Sequence, residues 1–126
     1  MLYAEKLSRI LSGNQLNVLH NYDFLHLNAL VELDLRGNRL ETFEAKVFEP
    51  LKSLEVLYLN ENQIHQLRPG MFPLLGNLQT LSLAHNRIED IAQQSFPMPR
   101  LRHLANKCYH LRLFHTKKNF CCIELA

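Results

Sequence analysis

The sequence predicts an α/β repeat solenoid of about four stacked units. Short parallel strands line a curved concave face, and irregular or short helical segments form the convex face. Three observations carry this expectation. Leu30, Leu54 and Leu78 stand 24 residues apart, and each opens the same pattern of apolar positions. An Asn recurs eight residues into every unit, at Asn14, Asn38, Asn62 and Asn86. A Phe recurs ten residues after each Asn, at Phe24, Phe48, Phe72 and Phe96. Self-similarity at a fixed period of about 20–50 residues marks supersecondary units that bury their apolar faces only by stacking on one another.

The units follow in order. Residues 1–10 are a degenerate start, because the first unit, about 6–29, has Lys6 and Arg9 where the next units have Leu; from Leu11 onward it is in register, with Asn14, Leu16, Leu19, Phe24 and Leu27. The clean units are 30–53, 54–77 and 78–100. Each has Leu at +3 and +5 (Leu33 and Leu35; Leu57 and Leu59; Leu81 and Leu83), then an aliphatic at +10 (Leu40, Ile64, Ile88) and an apolar residue at +13 (Phe43, Leu67, Ile91). Seven matched columns in three consecutive units leave no room for coincidence. Residues 101–126 form a divergent tail: Leu101 and Leu104 keep the pattern, but Asn106 and Tyr109 stand where Leu and the recurrent Asn belong.

Each column has a physical reason. Leucines two apart point to one side of a short strand, and the residues between them point to solvent. Stacked units pair these strands in parallel at about 4.8 Å. The chain then turns sharply out of the strand, and peptide groups inside the turn lose their ladder partners. An Asn amide offers both donors and acceptor to neighbouring turns, so Asn14, Asn38, Asn62 and Asn86 are expected to form a structural ladder. The Phe column fills the wider back of the coil. Such an array has no central globule; each unit touches its neighbours, and the terminal units need polar caps. No cap is recognisable in the sequence. The expectation is therefore a segment of a longer array or a short solenoid with improvised ends, open to self-association through uncapped cores.

Composition sets bounds. The 126 residues are 47% hydrophobic and 21% charged, ordinary values for a single folded domain. The net charge of +2 does not argue for nucleic acid or a membrane surface. It conceals a boundary: residues 1–99 carry 8 Lys+Arg against 11 Asp+Glu, and residues 100–126 carry 6 against 1. No apolar run reaches the roughly 18–20 residues that span a bilayer. Glu5, Lys6 and Arg9 interrupt any apolar core of a signal peptide, and no Asn-x-Ser/Thr acceptor occurs. All cysteines (Cys108, Cys121, Cys122) lie in the tail, so they do not fix the compartment.

The residues flanking the inward leucines form three columns on the concave face: Glu32, Val56 and Thr80; Asp34, Tyr58 and Ser82; Arg36, Asn60 and Ala84. A rigid curved sheet presenting such side chains suits protein binding, and the central Tyr58 is an aromatic of the kind that anchors interfaces. The alternative is a merely solvated sheet face. Catalysis is not expected. Adjacent Glu89 and Asp90 do not converge on one substrate atom, and nothing arranges a nucleophile with a base. His65 and His85 fall at turn positions where His is ordinarily solvated. In the tail, His103, Cys108, His110, His115, Cys121 and Cys122 invite a zinc reading. His110 and His115 have suitable spacing, but no Cys-x-x-Cys exists and adjacent Cys121 and Cys122 chelate awkwardly. No metal and no other cofactor is expected, and loss of the repeat describes the tail best.

The pattern LxxLxLxxNxLxxLxxxxF at a 24-residue period resembles the leucine-rich repeat family, in the length class typical of animal extracellular proteins. The resemblance covers residues 11–104 and is similar to the arrays of Toll-type receptors, chaoptin-like adhesion proteins and Slit-like guidance proteins. It implies a non-enzymatic module that recognises a protein ligand or cell-surface partner in adhesion, recognition or innate-immune-type signalling. It further implies an extracellular or cell-surface location for the parent protein. An intracellular scaffold or regulatory subunit in the cytoplasm is the alternative, favoured by the N-terminal residues and the absence of glycosylation acceptors. Extracellular arrays of this kind commonly close with a flank of four cysteines and a Trp. This chain has three cysteines and no Trp, so the resemblance stops there. Leu111 and Phe114 fall at +10 and +13 from Leu101, which leaves a degenerate fifth unit as an alternative to an improvised cap.

Overall fold

Three-residue strands repeat along the chain at the positions of the Leu-x-Leu pairs. The computed structural model describes residues 7–91 and, as backbone strands, residues 103–105 and 123–124. The inner sheet contains β1 (Ser8–Ile10), β2 (Glu32–Asp34), β3 (Val56–Tyr58), β5 (Thr80–Ser82), β7 (His103–Ala105) and β8 (Ile123–Glu124), in that spatial order. The first five are parallel, with Leu33 opposite Leu57 and Leu57 opposite Leu81; β8 runs antiparallel to β7. Between β2 and β3 a single-turn helix, α1 (Ala45–Phe48), crosses the outer face. A second, two-stranded sheet of β4 (Gln66–Leu67) and β6 (Asp90–Ile91) supports that face in the later units.

In β3 and β5 the period-2 expectation holds residue by residue. Leu57 and Leu81 are fully buried at the centre of their strands, and the residues on either side are half-buried. Leu33, Leu35, Leu54, Leu59, Leu78 and Leu83 are likewise sealed, and they form one continuous core with the aliphatics Leu40 and Ile64. At roughly 1.5–3 kcal/mol per fully buried aliphatic side chain, this row is the main favourable term of the fold. The Phe column continues it. Phe24 stacks on Phe48 (6.2 Å, 11°), and Phe43 meets both Phe48 (4.9 Å) and Phe72 (5.3 Å) edge-on. Such offset and edge-to-face pairs add about 0.5–1.5 kcal/mol each beyond burial. Two buried columns lie outside the seven of the sequence pattern: Val47 with Met71, and Leu51 with Leu75.

The Asn ladder takes a regular form. The Asn62 amide donates to the carbonyls of Leu35 (2.9 Å), Leu59 (3.0 Å) and Asn60 (3.3 Å), and its oxygen accepts from the Leu40 N–H (3.0 Å). Asn38 and Asn86 do the same one unit earlier and later: Asn38 reaches Leu11 and Leu35, and Asn86 reaches Leu59 and Leu83. Each amide thus joins its own turn to the preceding one and satisfies groups that no strand can reach. At Asn14 it is the backbone N–H that enters the ladder, donating to the Asn38 oxygen (3.0 Å), while the Asn14 residue itself is exposed.

The residue before each ladder Asn has a left-handed backbone: Gly13 (φ 69°), Gly37 (φ 66°), Glu61 (φ 59°) and His85 (φ 54°). Glycine adopts this conformation without steric penalty, whereas a side chain costs roughly 1–2 kcal/mol there. The sharp exit from the strand therefore imposes the same geometry on every unit, whether or not the residue suits it.

The degenerate first unit still forms a strand. Arg9 occupies the place opposite Leu33, and all of β1 is exposed. Its pairing rests on the backbone: Val31 and Glu32 donate to the Leu7 carbonyl (2.9 and 3.1 Å), and Leu11 donates to Asp34 (2.8 Å). Ladder geometry survives here without the apolar row that stabilises it elsewhere. Leu7, Ile10 and Val18 are each more than half exposed at this end.

Candidate binding surface

Strand register places the predicted concave residues side by side. Glu32 lies opposite Val56 and Val56 opposite Thr80; Asp34 lies opposite Tyr58 and Tyr58 opposite Ser82. The ladder continues three residues past the ends of β2 and β3, since Gly37 donates to the Asn60 carbonyl (3.2 Å) and Glu61 to that of Ala84 (2.9 Å). This brings Arg36, Asn60 and Ala84 into the third column. The nine residues thus share one face, with Val56, Tyr58, Asn60, Thr80, Ser82, Ala84 and Glu32 half-buried and Arg36 exposed.

Asp34 differs from its column. It is only 2% exposed, because the Arg36 side chain folds back across it. Arg36 Nε donates to both carboxylate oxygens (3.0 and 3.1 Å), Nη2 donates to Oδ2 (2.7 Å), and the Arg36 backbone N–H donates to Oδ1 (3.0 Å). These donors hold the Asp34 carboxyl below the usual carboxylate range against the opposing effect of burial. The guanidinium in turn lies 5.0 Å from the centre of the Tyr58 ring, a cation–π distance. The Asp34 hydrogen bonds raise the Arg36 pKa above its ordinary value, and the nearby charges of Asp34 and Glu61 add to the effect. A charged side chain that would ordinarily sweep through many rotamers is therefore held at three points. Asp34 belongs to the surface as the support of Arg36 rather than as an exposed group, a placement that the alternation of side chains could not reveal.

Beside this cluster the Asn60 Oδ1 is buried without a hydrogen-bond donor, and Glu61 is exposed. Of the other candidate residues, His85 is exposed at a turn, and His65 and Glu89 are exposed just before β4 and β6, apart from this cluster in sequence and column. Among the described residues no group of three or more His, Cys, Asp or Glu is placed to hold a metal ion. Cys108, His110, His115, Cys121 and Cys122 lie outside the described residues, and His103 is described only as part of a strand. Among the described residues no helix is long and apolar enough to cross a membrane.

A coil of 24-residue units, with leucines inside, an Asn ladder at each turn and a continuous sheet on one face, defines a solenoid repeat protein. The leucine-rich repeat family model matches residues 10–64, 30–88 and 52–105, and the chain belongs to that family. Among solved structures it is similar to the Toll–Spatzle complex of Drosophila, with 33% identity over 66% of this chain and a TM-score of 0.62. It is also similar to the TLR13–ssRNA13 complex, with 34% identity over 86% of this chain and a TM-score of 0.69. The chain covers only 12% and 16% of the lengths of those two chains. No curated protein sequence matches it.

Proposed function

We propose that this chain is a non-catalytic recognition module of receptor type, part of an extracellular or cell-surface array, and that its concave sheet binds a protein ligand. The observation that carries the reading is the Arg36–Tyr58 pair, an ordered cation and an aromatic ring presented together from adjacent units. Interfaces concentrate their energy in such Arg and Tyr anchors, especially where the side chain is ordered before binding. The receptor-type assignment is supported by the likeness to Toll and TLR13, one seen in complex with Spatzle and the other with single-stranded RNA. A protein ligand is favoured over RNA by the mixed charge of this face, where Glu32 and Glu61 flank the single Arg36.

The test is a screen of the full chain against a panel of secreted proteins and receptor ectodomains, repeated with a variant carrying Asp34→Asn, Arg36→Gln, Tyr58→Ala and Asn60→Ala. The paired change at Asp34 and Arg36 avoids leaving a buried charge alone. Loss of affinity by tenfold or more, about 1.4 kcal/mol, is expected for any specific ligand. Binding that survives these changes and disappears on altering the convex residues Lys46 and Glu49 would overturn the reading.

A further inference from the structure

Arg36 does not spend its whole guanidinium on Asp34. The contact is side-on, through Nε and one N–H of Nη2. A guanidinium has five N–H donors in a fixed planar fork. The end formed by Nη1 and the second N–H of Nη2 therefore remains, with no acceptor among the described residues, on a side chain that is 49% exposed. That end has the spacing of a carboxylate, which it can engage through two parallel hydrogen bonds.

We propose that Arg36 is a preformed receptor for one carboxylate of a protein partner, an Asp or Glu side chain flanked by Lys or Arg. The inference rests on the reading of the concave sheet as the binding face. Asp34 holds the guanidinium from one edge and its carbon lies over the Tyr58 ring, so the rotamer entropy that an incoming carboxylate would otherwise have to overcome is already lost in the free protein. Asp34 acts as a positioning residue: it directs the free edge of Arg36 without touching the ligand. The surroundings define what accompanies the carboxylate. Glu61 is exposed and close enough to act on the Arg36 charge, and Glu32 is half-buried two columns away, on the far side of Asp34. A polyanion laid along this face would meet those two carboxylates at once. An isolated acidic residue with basic neighbours would place its anion on Arg36 and its cations on Glu32 and Glu61. Complementary potentials of this kind fix register and reject wrong partners more than they add raw affinity.

The probe is a displayed library of random dodecapeptides selected on the immobilised full chain, with single-stranded polyuridylate as a competing ligand. The expected result is a pool sharing one Asp or Glu with adjacent Lys or Arg. Its members should weaken at least tenfold on Arg36→Lys, which keeps the charge and the Asp34 partner but loses the fork. They should weaken equally on Asp34→Asn with Arg36→Gln, a pair that preserves hydrogen bonding without charge. Thermal melts of both variants establish that the fold is retained. Peptides that bind, are lost on Tyr58→Ala and are indifferent to Arg36→Lys would overturn the carboxylate assignment while leaving the concave face as the binding surface. Peptides indifferent to both changes would remove the two readings together. A pool with no shared acidic position, no enrichment at all, or polyuridylate binding lost on Arg36→Lys would each overturn the carboxylate assignment.

Discussion

Asn62 shows how much one side chain does in this fold. It closes three carbonyls and one N–H that lie inside the turn, in a residue only 6% exposed. Asn62→Ala leaves the Leu40 N–H buried without its acceptor and takes one donor from each carbonyl, which keep Asn38, Asn86 and the Gly37 N–H respectively, and a loss of about 1–3 kcal/mol is expected from denaturant titration. Asn14→Ala is the control: that residue is exposed and contributes its backbone N–H, so its replacement should change stability by less than about 0.5 kcal/mol. The left-handed column supports a prediction of opposite sign. Glu61→Gly relieves a φ of 59° and should leave stability unchanged or raise it by up to about 1 kcal/mol. Gly37→Ala should lower it by about 1 kcal/mol, and from conformation alone, because an added Cβ would meet the Gly13 nitrogen at an ordinary 3.7 Å. Two of these features differ in how the sequence discloses them. The Asn column is visible at once as a recurring letter. The left-handed column is hidden because Gly13 and Gly37 give way to Glu61 and His85, and the conformation persists where the residue type does not.

At the scale of the element, each strand is too short to persist alone, and the inner strands β2, β3, β5 and β7 are stabilised by neighbours on both sides. Leu57 and its counterparts supply the core, and the residues between supply the face, so one alternation defines both. That alternation was fully legible in the sequence, and it located all nine concave residues. It did not disclose that Asp34 lies beneath Arg36, since the salt bridge is made between the last residue of β2 and a residue of the following turn by a long side chain folding back. Nor did it disclose α1 or the β4–β6 pair, because the outer segments differ in sequence from unit to unit and answer only to the space left behind the core. The Asp34–Arg36 pair carries a pH signature. The folded-state pKa of Asp34 is depressed, so its contribution is present above the ordinary carboxylate value of about 3.9 and is lost as pH falls below that value toward the lowered one. The double variant Asp34→Asn, Arg36→Gln should therefore show a flatter fall in denaturant midpoint between about pH 4 and pH 2 than the natural chain. Equal slopes would mean that the pair adds nothing to stability in acid.

The whole molecule is a one-dimensional stack, and a defect in one unit is felt by the units on either side. Leu57 is paired with Leu33 and Leu81 and is fully buried between them. Leu57→Ala should lose about 2–5 kcal/mol, and hydrogen exchange should quicken in both β2 and β5 rather than in β3 alone. The first unit should exchange fastest even in the natural chain, because β1 pairs through backbone while its three residues are exposed. The same stacking makes the inner sheet a stiff platform, and it is this rigidity that turns the concave columns into a surface with fixed spacing. Arg36 and Tyr58 lie together on that surface.

The most direct measurement is a pair of photo-crosslinking experiments on the full chain, with a photoreactive residue at Thr80 on the concave sheet or at Lys46 on the convex helix, each exposed to cell-surface and secreted proteins. A covalent protein adduct from position 80, suppressed by Arg36→Gln with Asp34→Asn and absent from position 46, is the predicted result. An adduct from position 46 alone, or one from position 80 that these substitutions leave untouched, would contradict the assignment of recognition to the concave face around Arg36.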